Sequence, residues 1–240
     1  PFEINVSNEF HFFTPSDSVQ DVTLFAKYTL RADEMFLNRM IGGTFEGSND
    51  PDFREKEVLY LINEKPKRLQ TVVQSYSSKS YRYVRYIGPK DSHCNIAEAA
   101  FYTPNDTASL KGKVIGTPGC FQKDGSHEYT NVFDGDVTTS FDYIEPSGGW
   151  SGLDLGTPKQ IGRIVYTPRS YDNYIRSGDD YELFYCARRN NWKSLGDQRS
   201  KADSLIYIKI PVNALLLLCN NTRGIQERIF VYTAAEQIWK

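Results

Sequence analysis

Short runs in which apolar and polar side chains alternate recur along the whole chain. Examples are Tyr81-Arg82-Tyr83-Val84-Arg85-Tyr86 and Leu205-Ile206-Tyr207-Ile208-Lys209-Ile210. Aromatic and β-branched residues in a period of two are typical of β-strands. The predicted strands span residues 22–28, 43–47, 58–63, 69–74, 81–87, 97–102, 150–155, 161–167, 180–186, 205–210, 214–219 and 228–232. No long stripe with a 3.6-residue period competes with them, so the pattern predicts an all-β sandwich.

A weak internal repeat suggests how these strands are divided into domains. Phe101-Tyr102-Thr103 resembles Val231-Tyr232-Thr233, and Lys27-Tyr28-Thr29 resembles Val165-Tyr166-Thr167. Further pairs occur in the same order, as expected if two copies of one strand order follow each other. The repeat predicts a partial or degenerate β unit at 1–105 and a complete β-sandwich at 110–240, joined by a polar, turn-rich linker.

Composition and charge narrow the classes of partner. The chain of 240 residues has a formal net charge of −2 and no basic run. Nucleic-acid binding depends on neutralising phosphates, so no nucleic-acid partner is expected. No run of about 18 apolar residues is present, so no membrane span is expected. The chain starts at Pro1 without a signal-like segment, which suggests that it is covalently part of a larger chain.

The cysteines give no metal-binding pattern. Cys94, Cys120, Cys186 and Cys219 are widely and irregularly spaced. No Cys-x-x-Cys pair occurs, and sequence does not choose among the three possible pairings. Buried free thiols and one or two disulfides both remain open.

An acidic loop is the first candidate site. Asp134 and Asp136 flank Gly135, and the hydroxyl of Thr139 follows three residues later. Carboxylates, a hydroxyl and exposed backbone carbonyls are the oxygen ligands that calcium takes. Asp-Gly pairs also mark ordinary turns. Spacing alone leaves a calcium loop and a plain turn open.

A second candidate site lies in the polar loop at residues 168–178. Sugar recognition needs aromatic faces together with fixed donors and acceptors on loops. Arg169, Asn173, Tyr174 and Arg176 supply these residue types. The alternative is a solvated loop whose arginines brace the sandwich. Two residues near the acidic loop are further ligand-binding candidates, namely His127 and Tyr143.

The ordered motifs resemble those of one family. Val132-Phe133-Asp134-Gly135-Asp136, then Trp150-Ser151-Gly152-Leu153-Asp154-Leu155-Gly156, then Asp180-Tyr181-Glu182-Leu183-Phe184-Tyr185 are similar to the discoidin, or coagulation factor 5/8 type C, module. That module is a galactose-binding-like jelly-roll sandwich, overlapping carbohydrate-binding module family 32. These motifs are also similar to C-terminal parts of secreted Bacteroides chitobiase-like proteins.

The resemblance implies a metal ion, a ligand and a cellular location. It implies a structural calcium ion at Asp134, Asp136 and Thr139, joined by a glutamate of the last strand, assigned to Glu227. It implies a glycan ligand, galactosyl or amino sugar, held by loops at one end of the sandwich. It also implies a secreted, periplasmic or cell-surface location in a bacterium.

The sequence offers little for catalysis. Glycoside cleavage needs paired carboxylates facing a cleft, and the only tight acidic pair is the proposed metal loop. No Gly-x-Ser-x-Gly motif and no phosphate-binding loop occurs. We therefore expect a non-catalytic carbohydrate-binding region of a larger glycan-degrading enzyme. The alternative is a structural or protein-interaction module without sugar binding.

Overall fold

The computed structural model describes residues 13–28, 31–187, 191–224 and 227–240. The described residues are nearly all in β-strands and loops, with little helix, so the predicted all-β class is confirmed. The strands are β1 (Val19–Leu24), β2 (Thr44–Ser48), β3 (Lys56–Leu61), β4 (Thr71–Gln74), β5 (Ser80–Ile87), β6 (Ile96–Tyr102), β7 (Lys113–Gly116), β8 (Trp150–Gln160), β9 (Arg163–Pro168), β10 (Asp180–Ala187), β11 (Asn191–Arg199), β12 (Leu205–Pro211), β13 (Leu216–Asn220), β14 (Ile229–Thr233) and β15 (Glu236–Trp239).

Helical structure is short. One α-helix, α1, spans Arg31–Arg39, and two 3-10 helices span Phe121–Lys123 and Tyr129–Phe133. No helix within the described ranges is long and apolar enough to cross a membrane. A nine-residue helix makes too short a stripe to be recognised by its period, which is why the sequence pattern did not predict α1.

The chain forms two compact units. The central unit comprises residues 29–174, and the terminal unit combines the described residues up to Tyr28 with those from Ile175 to Lys240.

The central unit is a sandwich of two antiparallel sheets. The sheet orders are β3-β2-β5-β8-β7 and β4-β9-β6. Phe45 of β2 lies 6.0 Å from Phe101 of β6 and 5.3 Å from Tyr166 of β9, measured between ring centroids. All three rings are at most 2% exposed. Burial of such rings is the main stabilising contribution to a core of this kind.

The terminal unit also buries apolar side chains between two sheets. Their orders are β11-β10-β13-β14-β15 and β1-β12. Leu24 of β1 and Tyr207 of β12 share a core with Leu183, Leu216 and Phe230 of the larger sheet. The strand at the start of the described chain therefore completes a core whose other strands come from its last third.

The predicted domain division is not the one that the structure shows. A boundary between residues 105 and 110 would separate β5 from β8 and β6 from β9, yet these strands pair directly. Strand pairing satisfies backbone groups that would otherwise be buried without partners. The repeat shows only that strands in the two halves of the chain have similar sequences, whereas strand pairing decides which strands form one unit.

All four cysteines are free thiols, with Cys94 and Cys120 buried and Cys186 and Cys219 partly buried. Of the two alternatives that the sequence left open, the structure contains free thiols.

Candidate functional site

The acidic loop, residues 134–139, is anchored to the core of the central unit. The 3-10 helix Tyr129–Phe133 precedes it, Val132 is fully buried, and the ring of Phe133 stacks on Phe101 of β6 at 6.5 Å. Gly135 adopts a φ of 84°, a left-handed conformation in which glycine pays no steric penalty. These anchors place the acidic residues beside β6.

Hydrogen bonds within the acidic loop hold its shape. The Asp134 carboxylate accepts from the Asp136 N–H at 2.7 Å and from the Thr139 hydroxyl at 2.8 Å. The Asp136 carboxylate accepts from the Thr138 N–H at 2.9 Å and from its hydroxyl at 2.6 Å. Such contacts are those of Asx turns, which also form in loops without a metal ion.

A third carboxyl group lies against this loop. Glu98 of β6 accepts a hydrogen bond from the Gly135 N–H at 2.8 Å. Burial, together with a hydrogen bond to the Asp134 carboxyl, raises the pKa of Glu98 to about 8. Two acidic groups that share a hydrogen bond, one of them half-buried, cannot both ionise at low cost without a nearby positive charge.

Glu227, the glutamate that the resemblance assigned to the acidic loop, belongs instead to the terminal unit. It is exposed and lies beside the thiol of Cys219, whose pKa is raised to about 12 by burial and then by Glu227. The reason is strand pairing. The strand after Glu227 is β14, which pairs with β13 and β15, whereas Glu98 is carried by β6 in the same unit as the acidic loop.

No three Asp, Glu, His or Cys side chains within the described residues form a group that could hold a metal ion. The donors at the acidic loop are nevertheless of one chemical kind. They are the carboxyl groups of Glu98, Asp134 and Asp136 and the hydroxyl of Thr139. An all-oxygen set suits calcium rather than a transition metal. The donor types are those of the ion that the resemblance implies, although the three carboxyl groups are not gathered into a metal-binding arrangement.

The second candidate site is built around Arg169 at the end of β9. Its guanidinium donates to the Asp142 carboxylate and, at 3.4 Å, to the Asn95 side-chain carbonyl. The Asp142 N–H in turn donates to the His127 carbonyl at 3.1 Å, and the Tyr143 N–H donates to the His93 carbonyl at 2.8 Å. We call Asn95, His127, Asp142, Tyr143 and Arg169 the loop cluster.

Strained backbone supports the loop cluster. His93, Cys94 and Asn95 have consecutive φ values of 57°, 73° and 44°. Left-handed conformations are costly for residues other than glycine, and they concentrate at functional sites. The run is held by its neighbours, because both the Ser92 and the His93 N–H donate to the Pro146 carbonyl, at 2.9 and 3.1 Å. The conformation turns Asn95 toward Arg169.

An aromatic surface adjoins the loop cluster. The Arg169 guanidinium lies 4.4 Å from the centre of the Phe36 ring of α1. Tyr171 packs on the same ring at 5.6 Å and remains 48% exposed. An exposed tyrosine backed by a buried ring is a rigid face on which a sugar ring can stack.

The remaining predicted ligand-binding residues are placed differently from one another. His127 and Tyr143 are half-buried in the loop cluster. Asn173 and Tyr174 are each 3% exposed, and the Asn173 side-chain carbonyl has no hydrogen-bond partner within the described residues. Arg176 belongs to the terminal unit, where its N–H donates to the Tyr181 hydroxyl at 2.9 Å. Thus the structure brings together His127, Tyr143 and Arg169 within the central unit.

Sequence reasoning missed several members of these sites. Glu98 lies before the predicted domain boundary, so the sequence did not associate it with the acidic loop. Asp142 immediately precedes Tyr143, and Tyr171 lies in the polar loop that supplied Arg169. Asn95 carried no recognisable signal, because its role depends on the left-handed run that precedes β6.

Comparisons with known proteins add no identity to this geometry. No protein-family model matches the chain, no curated protein matches it, and no solved structure matches its fold.

Proposed function

We propose that this chain is a non-catalytic carbohydrate-binding protein. Its central unit would hold a neutral galactosyl or amino sugar at the loop cluster, with Tyr171 as the stacking surface. The observation that carries the proposal is the convergence of separate loops on Arg169, next to a tyrosine ring that is 48% exposed. Fixed polar groups beside an aromatic face, set on a rigid sandwich, are what sugar binding requires.

The residues around Arg169 would have different roles in sugar binding. Arg169 is only 9% exposed and is held by Asp142 and Asn95, so we assign it the positioning of the loops rather than direct contact with sugar. Tyr171 would cover the C–H face of the sugar ring. The half-buried His127 and Tyr143 would contribute hydrogen-bonding groups at the rim.

The proposal includes a structural calcium ion at the acidic loop. Glu98, Asp134, Asp136 and Thr139 would hold it, since they supply only hard oxygen donors. The positive charge would allow the neighbouring carboxyl groups of Glu98 and Asp134 to be ionised together. This would fasten the loop to β6 without any direct part in sugar binding.

The binding test uses calorimetric titration with lactose and with N-acetylgalactosamine in the presence of calcium. We expect millimolar or tighter binding, weakened about tenfold by Tyr171→Ala because a stacking contact is removed. Val58→Ala is the control, since Val58 is a 41% exposed apolar residue of β3 in the central unit, and it should leave the affinity unchanged. Absence of binding to every galactosyl and amino sugar tried would contradict the proposal.

A protein-interaction role is the second candidate, and one observation favours it. Ile206 and Ile208 of β12 are 62% and 65% exposed in the terminal unit. They lie on one face of the strand, because the intervening Tyr207 is buried. Exposed apolar side chains of this size on a strand are typical of surfaces that meet another protein.

A further inference from the structure

A cleft on the central unit has the chemistry of a binding site and is distinct from the loop cluster. It has a volume of about 300 Å³ and is formed by the segment between β3 and β4 together with β9. Its lining residues are Tyr60, Glu64, Lys65, Pro66, Lys67, Arg68, Gln70, Thr71, Val72 and Tyr166. This volume is at the lower end of the range for small-molecule sites.

The lining is rich in positive charge. Lys65, Lys67 and Arg68 are three cationic residues in a segment of four, and Glu64 is the single carboxylate among the described residues that line the cleft. Lys67 and Arg68 are exposed. Clustered cations in a concave surface concentrate anionic ligands. Since the whole chain has a net charge of −2, this local excess is not a general property of the protein.

Phenol groups add hydrogen-bonding capacity to the cleft. Burial raises the pKa of Tyr166 to about 12, and burial followed by the neighbouring Tyr76 and Glu64 also raises the pKa of Tyr60. Both hydroxyl groups keep their protons at neutral pH, and that of Tyr166, which is 2% exposed, shares a hydrogen bond with Thr71. Thr71 and Gln70 supply a further hydroxyl and an amide.

An exposed aromatic surface continues from one wall. Tyr76 packs on Tyr60 with 5.4 Å between ring centroids and is itself 63% exposed. The Tyr76 N–H donates to the Leu59 carbonyl at 2.7 Å, which ties this ring to β3. The pair presents a fixed aromatic surface beside the cationic segment.

We propose that this cleft binds an acidic sugar, a pyranose ring that carries a carboxylate. Lys67 and Arg68 form ion pairs with the carboxylate. The hydroxyl and amide groups of the lining form hydrogen bonds with the sugar hydroxyls. Tyr60 and Tyr76 cover the apolar face of the ring. A simple anion would not use the aromatic surface. A nucleic acid would need a basic track longer than these residues provide. The site does not depend on the neutral-sugar proposal, because it uses none of the loop-cluster residues.

The test is calorimetric titration of the full chain with D-galacturonate and its linear trimer, alongside D-galactose and sodium acetate. We expect binding of the two uronates that weakens as salt is raised, and no competition from galactose or acetate at equal concentration. Backbone amide shifts on titration should map to residues 60–76. Displacement of galacturonate by acetate at equal concentration would overturn the assignment to a sugar.

Variants complete the test. Lys67→Gln combined with Arg68→Gln should weaken uronate binding by about tenfold or more, since charge-assisted contacts to the carboxylate are lost. Both positions are exposed, so the fold should be retained, and Lys159→Gln, at an exposed position near the end of β8, is the control. Tyr171→Ala should leave uronate binding intact, which separates this site from the loop cluster. Undiminished binding by the double variant, or no uronate binding by the unaltered chain, would overturn the proposal.

Discussion

At the scale of single residues, Glu98 shows how tertiary structure changes the chemistry of a side chain. Its carboxyl group starts from an ordinary pKa of 4.5, and burial with the adjacent Asp134 raises this to about 8. The protonated form is thus favoured in the folded chain relative to the unfolded one. A raised pKa of this kind contributes stability that is fully present below the unfolded pKa and is lost as the pH rises through the folded pKa.

Glu98→Gln tests this linkage in calcium-free buffer. We expect the unaltered chain to lose stability as the pH rises from about 5 to about 8, and the variant to lose less, because its amide does not ionise. Urea unfolding midpoints across this range measure the difference. Glu145→Gln, at an exposed position, is the control and should keep the original slope. Equal slopes for Glu98→Gln and the unaltered chain would show that Glu98 ionises normally.

At the scale of elements, the acidic loop combines a local and a distant contribution. The Asx-turn hydrogen bonds of Asp134 and Asp136 join residues at most five positions apart. The contact with Glu98 joins positions 37 residues apart. The local part gives the loop its shape, and the distant part sets the Glu98 carboxyl group against it.

Calcium should stabilise the central unit through this loop. At a free calcium concentration of 100 times Kd, a site present only in the folded state adds about 2.7 kcal/mol of stability. Thermal unfolding with and without calcium measures it as a rise in Tm. Asp134→Asn should abolish the rise, while Asp124→Asn, outside the acidic loop but in a comparable Asx turn with Ser126, should preserve it. If calcium does not change the Tm of the unaltered chain, the calcium site is excluded.

The strands show the strengths of pattern reading and its limits. Every predicted strand overlaps a strand of the structure, since alternation is a local property of the sequence. Three strands were missed, namely β7, β11 and β15. β11 has the sequence Asn-Trp-Lys-Ser-Leu-Gly-Asp-Gln-Arg and is mostly exposed, so it carries no apolar alternation. It forms because β10 offers a free edge for backbone pairing.

At the scale of the whole molecule, the division into units follows strand pairing rather than the repeat. The central unit draws β2, β5 and β6 from before the predicted boundary and β8 and β9 from after it. If the chain were cut at the repeat, β8 would lose β5 and keep β7, whereas β9 would lose both β4 and β6. Loss of neighbours exposes both backbone groups and the apolar core.

Two fragments of similar length test this division. Residues 29–174 should fold alone, with cooperative thermal unfolding and dispersed amide resonances, because they contain both sheets of one sandwich. Residues 110–240 should not, since they lack β5, which pairs with β8, and both partners of β9. Size-exclusion chromatography and far-UV circular dichroism complete the comparison. A well-folded 110–240 fragment beside an unfolded 29–174 fragment would favour the division that the repeat predicted.

By itself, the sequence determined the all-β class, the position of most strands and the local acidic loop, because these depend on alternation and on side chains a few residues apart. Only the tertiary structure decided that Glu98 lies against the acidic loop, and that Asp142 and Asn95 hold Arg169. It also decided which strands form each unit. These outcomes depend on pairing and burial between segments far apart in the chain. A pattern of neighbouring residues does not specify which distant strand will pair with a given strand edge.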